Sequence, residues 1–381
     1  MDIFDSLIDQ DETVAILRAA VVAASNDEDE SQDMTHAWLF TGPPGSGRSN
    51  AALAFAAALV CSKGGCGACV DCRTAQNGAH ADVELLRTEG LSIKIDEVRE
   101  LLTRASWSAS VAKYRIIVME DADRLTESAA NALLKAIEEP SGRTIWLLCA
   151  PTLSDVLPTI RSRTRNLLLR TPSVSAVSAL LQREGASAHQ AEFAARASQG
   201  HIGRARYLVN SETARNLRSD AVKLAVTISD IASAFNAAGK LVDSAKEQAT
   251  LDAEEKNERE LKALKEAWGQ QGSKLSAGGS KAVKELEKEQ KSRQTRMVRD
   301  YLDRALLDIA TFYRDVLLVQ SGSTDELINI DMIDWINKYA QHTTAESTLG
   351  RMEAILKARK NLGFNAAPLL TLEAMMVSLA P

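Results

Sequence analysis

AWLFTGPPGSGRSNAALAFAAALV, residues 37–60, is the stretch that decides the fold. It opens on a short apolar run that stops at glycine and proline, the pattern of a strand buried on both faces. It closes on an alanine- and leucine-rich segment that reads as a helix. Between the two, Gly42 to Ser49 spells GPPGSGRS: glycine, four residues, glycine, a basic residue and serine, the spacing of a phosphate-binding P-loop. Such a turn leaves backbone N–H groups free to ring phosphates, and the following helix adds its positive N-terminal end. Gly42, Gly45 and Gly47 would shape the cradle, Ser49 would contact magnesium, and Arg48 stands where a lysine usually reaches the β- and γ-phosphates. A planar guanidinium is bulkier than a compact ammonium, so Arg48 predicts impaired hydrolysis, whether ATP and magnesium bind or the loop stays empty.

Outward from this unit, strands and helices alternate. VELLRT (83–88), YRIIVMEDADRL (114–125) and TIWLLCAP (144–151) read as strands, and IDEVRELLTRASW (95–107) and ESAANALLKAIEEP (127–140) as helices, the latter stopped at Pro140. This order predicts an α/β unit with a mostly parallel sheet covered on both faces. The strand at 114–125 ends in Glu120 and Asp121, where P-loop enzymes carry an Asp that orders the magnesium water shell and then a Glu that polarises the attacking water. Here the lengths are reversed. A metal can still be held, but the shorter second acid is poorly placed to reach the water.

Cys61, Cys66, Cys69 and Cys72 lie directly after the P-loop helix, separated by four, two and two residues. Four thiolates at short spacing match tetrahedral structural zinc, and a reducing compartment favours metal over disulfides. The fifth cysteine, Cys149, falls in an apolar strand and reads as a buried small residue, and His80 as a surface residue.

The chain has 381 residues, 45% hydrophobic and 25% charged, enough for two or three domains with sizeable cores. A net charge of −6 excludes a broadly basic nucleic-acid-binding surface. No apolar run approaches a membrane span, and the acidic start lacks the basic flank of a signal peptide, which predicts a cytoplasmic protein without membrane contact. FDSLIDQDETVAILRAAVVAA (4–24) suits an amphipathic helix, and NDEDESQD (26–33) a solvated loop. From about Pro172 the strand signals cease and short helices follow. Beyond Ser211 everything reads as helix, including two long segments at 246–268 and 281–319 joined by the breaker-rich GQQGSKLSAGGS. Val298, Leu302, Ala305, Ile309, Phe312 and Val316 form one apolar stripe, whereas Lys284 to Arg296 is almost wholly charged or polar and predicts a solvated hairpin.

The P-loop, the four-cysteine insert after its helix, NALLKAIEEP (131–140) and LPTIRSRT (157–164) together resemble the AAA+ clamp-loader subunits of bacterial DNA polymerase III. The resemblance covers the first 210 residues well and the rest in outline. It implies an AAA+ domain at 1–170 with a zinc module at 61–72, a helical lid at 171–210, and an all-α collar at 211–381 that carries a charged hairpin near 246–296. Arg163 matches the family's Ser-Arg-Cys arginine, with Thr164 in place of Cys, and would act in trans on a γ-phosphate held by the neighbouring subunit. The sensor positions of the family fall on Ala150 and on Gly203, beside Arg204 within GHIGRAR. With Arg48 and the reversed acids, these departures imply little or no ATP hydrolysis. The implied partners are the delta and gamma/tau subunits of a hetero-oligomer, and through it a sliding clamp and primed DNA. The rival readings are a catalytic gamma/tau-type ATPase and an autonomous P-loop ATPase in DNA repair.

Overall fold

The computed structural model describes residues 2–26, 33–88, 90–267, 277–323, 326–364 and 366–380. Most of the acidic stretch at 26–33 and of the breaker-rich link at 269–280 lies outside them. The chain forms two compact units that divide at Arg206 and Tyr207.

The first unit runs, in chain order, through α1 (Asp11–Ser25), β1 (Ala37–Thr41), α2 (Arg48–Val60), α3 (Val70–Gln76), β2 (Val83–Leu86), α4 (Ile95–Ala105), β3 (Arg115–Met119), α5 (Glu127–Glu138), β4 (Thr144–Ala150), α6 (Pro158–Arg161), β5 (Arg165–Leu168), α7 (Val174–Arg183), α8 (Ala188–Ser198) and α9 (Ile202–Asn210), within which the division falls. The five strands form one parallel sheet in the order β2-β3-β4-β1-β5. Period-2 alternation sends Trp38, Phe40, Ile116, Val118, Ile145 and Leu147 to a core shared with α1 and α2. Leu39, Ile117, Met119, Trp146 and Leu148 go to the opposite core, under α4 and α5. Both faces are therefore apolar, which is why β1, β3 and β4 read as unbroken hydrophobic runs.

β5 was not legible in the sequence. It is a short edge strand with only Leu167 buried, and it begins with the polar Arg165 and Asn166. Asn166 nevertheless anchors it, because its Oδ1 accepts from the Thr41 hydroxyl at 2.9 Å. The parallel register places the ends of β1, β3 and β4, and thus the P-loop and the two acids, on one edge of the sheet, where ligands of such folds bind.

The second unit is helical: α10 (Glu212–Val226), α11 (Ile231–Ala267), α12 (Ala277–Ser321), α13 (Ile333–His342), α14 (Ala345–Gly363) and α15 (Pro368–Leu379). Leu302, Ile309, Phe312 and Val316 of the expected stripe are fully buried, each contributing about 1.5–3 kcal/mol by burial, with Val298 and Ala305 packed at the margin. Buried polar groups pin the segment after α12. Asp315 accepts the backbone N–H groups of Ile328 and Asn329 at 3.0 and 2.7 Å, and Arg218 donates to Asp331 at 2.8 Å.

The charged part of α11 and α12 is less solvated than its composition implies. Ala249 and Ala253 are buried along the seam, and Arg293 is 8% exposed, donating to both carboxylate oxygens of Glu260 at 3.0 and 2.5 Å. This pairing pulls the Glu260 carboxyl down to about 2. No helix among the described residues is long and apolar enough to cross a membrane.

Candidate functional site

β1 ends at Thr41 and α2 begins at Arg48, so the loop between them is held at both ends by regular structure. Gly45 and Gly47 both have φ of +89°, a conformation that side chains resist. At Gly45 there is a second reason for glycine: a Cβ there would lie 2.5 Å from Cβ of His201, which sits against the loop from just before α9. Arg48 turns back on its own loop, Nη1 donating to the carbonyl of Gly42. Ser49 follows, partly buried in the first turn of α2. The glycines adopt the conformations the motif requires, while Arg48 and His201 both contact the loop itself.

The acids at the end of β3 are engaged as well. Glu120, read from sequence as a metal-holding acid, takes Arg87 on both oxygens at 2.7 and 2.9 Å, a bidentate pair. Asp121 has a left-handed φ of +55° and lies 3.6 Å from Nε of Arg124. Asp123 is the third acid of this stretch. Burial, and then the negative charge of Asp121, raises its pKa, and its Oδ1 is buried without a hydrogen-bond partner. At the sensor positions Ala150 is fully buried and offers no polar atom. Gly203 lies in the first turn of α9, and the backbone N–H of the neighbouring Arg204 donates to Nδ1 of His201 at 3.2 Å.

The four cysteines converge. Their sulfurs all lie within 4.8 Å of one another, with Cys61 to Cys66 at 3.8 Å and Cys61 to Cys69 at 3.7 Å, a group that can hold a metal ion. Cys69 Sγ caps α3 by accepting the N–H of Cys72 at 3.3 Å, and Lys63 N–H donates to Cys61 Sγ at 3.4 Å. Backbone N–H groups of Ala68 and Cys69 lower the Cys66 thiol to about 6, whereas burial pushes Cys72 well up. Cys61 and Cys72 are part of the core under α1 and α2, so the cluster is continuous with the sheet's packing. His80 is not the surface residue expected. It is buried, Nδ1 accepting the N–H of Asp82 at 3.0 Å, with Nε2 3.7 Å from Asp71. Cys149 is buried in β4, as read from the apolar run, and burial raises its pKa.

Arg163 lies between α6 and β5, away from the chain's own loop in sequence. Its Nε is 2.5 Å from Oε1 of Glu138, and its Nη1 donates to the Thr159 carbonyl at 2.8 Å and to Ser162 Oγ at 3.1 Å. The side chain stays 39% exposed, open to a neighbour. Thr164 hydrogen-bonds back to the Ile160 carbonyl at 3.2 Å, closing the turn that carries the arginine. Arg87, Glu138 and His201 were missed at the sequence level. Only the last two had a local signal, the paired acids before Pro140 and the position beside Gly203.

A family model described as DNA polymerase III, delta subunit, matches residues 18–173. The DNA polymerase III delta-prime subunit of Bacillus subtilis is 26% identical over 339 residues, covering 88% of each chain. That of Pseudomonas aeruginosa is 39% identical over 134 residues, 34% of this chain and 41% of its own. The DNA polymerase III gamma/tau subunit of Mycobacterium tuberculosis is 31% identical over 185 residues, 47% of this chain and 31% of its own. P-loop spacing on a five-stranded parallel sheet and a cysteine cluster behind it accompany a likeness that extends along most of the chain: the chain is similar to the delta-prime subunits of DNA polymerase III.

Proposed function

We propose that this clamp-loader subunit supports ATP-driven loading of a sliding clamp onto primed DNA without turning over ATP itself, by lending Arg163 to the active site of a neighbouring ATPase subunit. The observation that carries this reading is a contrast within one unit. Arg48 and Glu120 are engaged by the chain's own Gly42 and Arg87, whereas Arg163 is held through two of its three nitrogens and remains accessible. A guanidinium delivered across an interface stabilises charge that develops on a transferring phosphoryl group. The catalytic gamma/tau-type reading is disfavoured by Arg48, Ala150 and Gly203, none of which supplies the expected group. An autonomous ATPase would have no use for Arg163 in trans.

In this proposal residues 1–170 are the AAA+ domain, 171–210 the lid and 211–381 the collar of a cytoplasmic hetero-oligomer with delta and gamma/tau subunits. The cysteines hold a structural zinc. With Zn–S of about 2.3 Å, a tetrahedron has S–S edges of about 3.8 Å, and the Cys61–Cys66 and Cys61–Cys69 separations of 3.8 and 3.7 Å support that size of ion. Zinc would cross-link the loop after α2 to α3 and has no part in hydrolysis.

Two assays test the proposal. The isolated chain should show no ATP turnover above background, and robust turnover would sink the reading. In a loader reconstituted with Arg163→Ala, ATP-driven loading should fall on the order of 10²-fold. Loading at the wild-type rate would end the assignment of Arg163.

A further inference from the structure

Glu138 and Glu139 close α5 immediately before Pro140. Carboxylates at a helix C-terminus face the negative end of the helix dipole, a position that favours cations, and Lys135 is the basic residue of that last turn. Glu138 meets its cation from elsewhere in the fold, in the 2.5 Å ion pair to Nε of Arg163. The Thr159 carbonyl and Ser162 Oγ hold Nη1 from the other side. Nη2 makes no hydrogen bond among the described residues.

We propose that Glu138 is a positioning residue: it fixes the guanidinium of Arg163 in the orientation that offers Nη2 to the γ-phosphate of the neighbouring subunit's ATP. The inference rests on the trans-acting reading of Arg163 given above. An unrestrained arginine on a surface turn samples many rotamers, and a catalytic contact is made only in the fraction that points correctly. Two holds on one planar fork, one on Nε and one on Nη1, remove that freedom while leaving the remaining nitrogen for a phosphate oxygen. Glu138 and Arg163 are 45% and 39% exposed, and an ion pair this open is weak, so it orients the arginine without sequestering it from a doubly charged phosphate. Glu138 touches no reacting atom and acts through Arg163.

The test is steady-state ATP hydrolysis by the loader reconstituted with clamp and primed DNA, with assembly of each variant complex checked by gel filtration. Glu138→Ala should lower kcat about tenfold and leave KM within about twofold, with Glu138→Gln between it and wild type. In an Arg163→Ala background Glu138→Ala should cause no further loss. An undiminished second loss in that background would overturn the proposal, because the glutamate would then act by another route. Wild-type kcat for both Glu138 variants, beside a slowed Arg163→Ala loader, would overturn it while sparing the trans arginine. An unaffected Arg163→Ala loader would remove both.

Discussion

Arg48 and Arg163 are the same side chain in two settings of one α/β unit, and they have opposite fates. Arg48 sits at the head of α2, in the loop with P-loop spacing, and donates to a carbonyl of that loop. Arg163 sits on a turn with no ligand motif of its own, gripped at Nε and Nη1 and still open to a neighbour. The difference teaches that a phosphate-binding motif marks ancestry more securely than chemistry. What decides function is which polar groups the tertiary fold leaves available.

The contrast breaks most readily at Arg163. Replacing it with glutamate would set a carboxylate beside Glu138, so the loader should lose about 10²–10³-fold in ATP-driven loading, more than Arg163→Ala loses, as measured by clamp deposition on primed DNA. Next in size is the metal. Purified without added metal, the chain should carry about one zinc, and stripping it or substituting Cys72→Ser should lower Tm by roughly 5–10 °C, since Cys72 is fully buried beneath α2. Less than about half a zinc per chain would refute the assignment.

The inward side of the comparison predicts a smaller gain. If Arg48 and His201 fill the cradle, the Arg48→Lys, His201→Ala double variant should bind ATP about tenfold more tightly than wild type by calorimetry. Unchanged affinity would show that other groups keep nucleotide out.

The smallest effect tests the second unit's hairpin as a control outside the contrast. Because Arg293 holds Glu260 down to about 2 from 4.5, the pair's stabilisation is present above pH 4.5 and lost as pH falls through about 2. With Glu260 30% exposed, screening limits it to under about 1 kcal/mol. The stability difference between wild type and Glu260→Gln in denaturant should be constant from about pH 5 to 8 and shrink below about 4.5.

The sequence revealed whatever is encoded locally. The P-loop spacing, the cysteine spacing and the apolar runs of β1, β3 and β4 are short-range patterns, and the structure places them together as read. The partners that set the availability of each group are distant in sequence. Nothing near Glu120 announces Arg87, and nothing in GPPGSGRS announces His201. β5 was missed because edge strands bury one residue in two and carry polar ends, which leaves no apolar run. The charged hairpin read as solvated because composition hides a seam in which Arg293 and Glu260 pair with each other.

The central claim, that this subunit's arginine serves its neighbour while its own loop is silent, is tested most directly by single-turnover ATP hydrolysis in the assembled loader. Loaders carrying Arg163→Ala and Arg48→Ala should be compared side by side. The account predicts a slowing on the order of 10²-fold for Arg163→Ala and the wild-type rate for Arg48→Ala. A slowed Arg48→Ala loader beside an unaffected Arg163→Ala loader would contradict it.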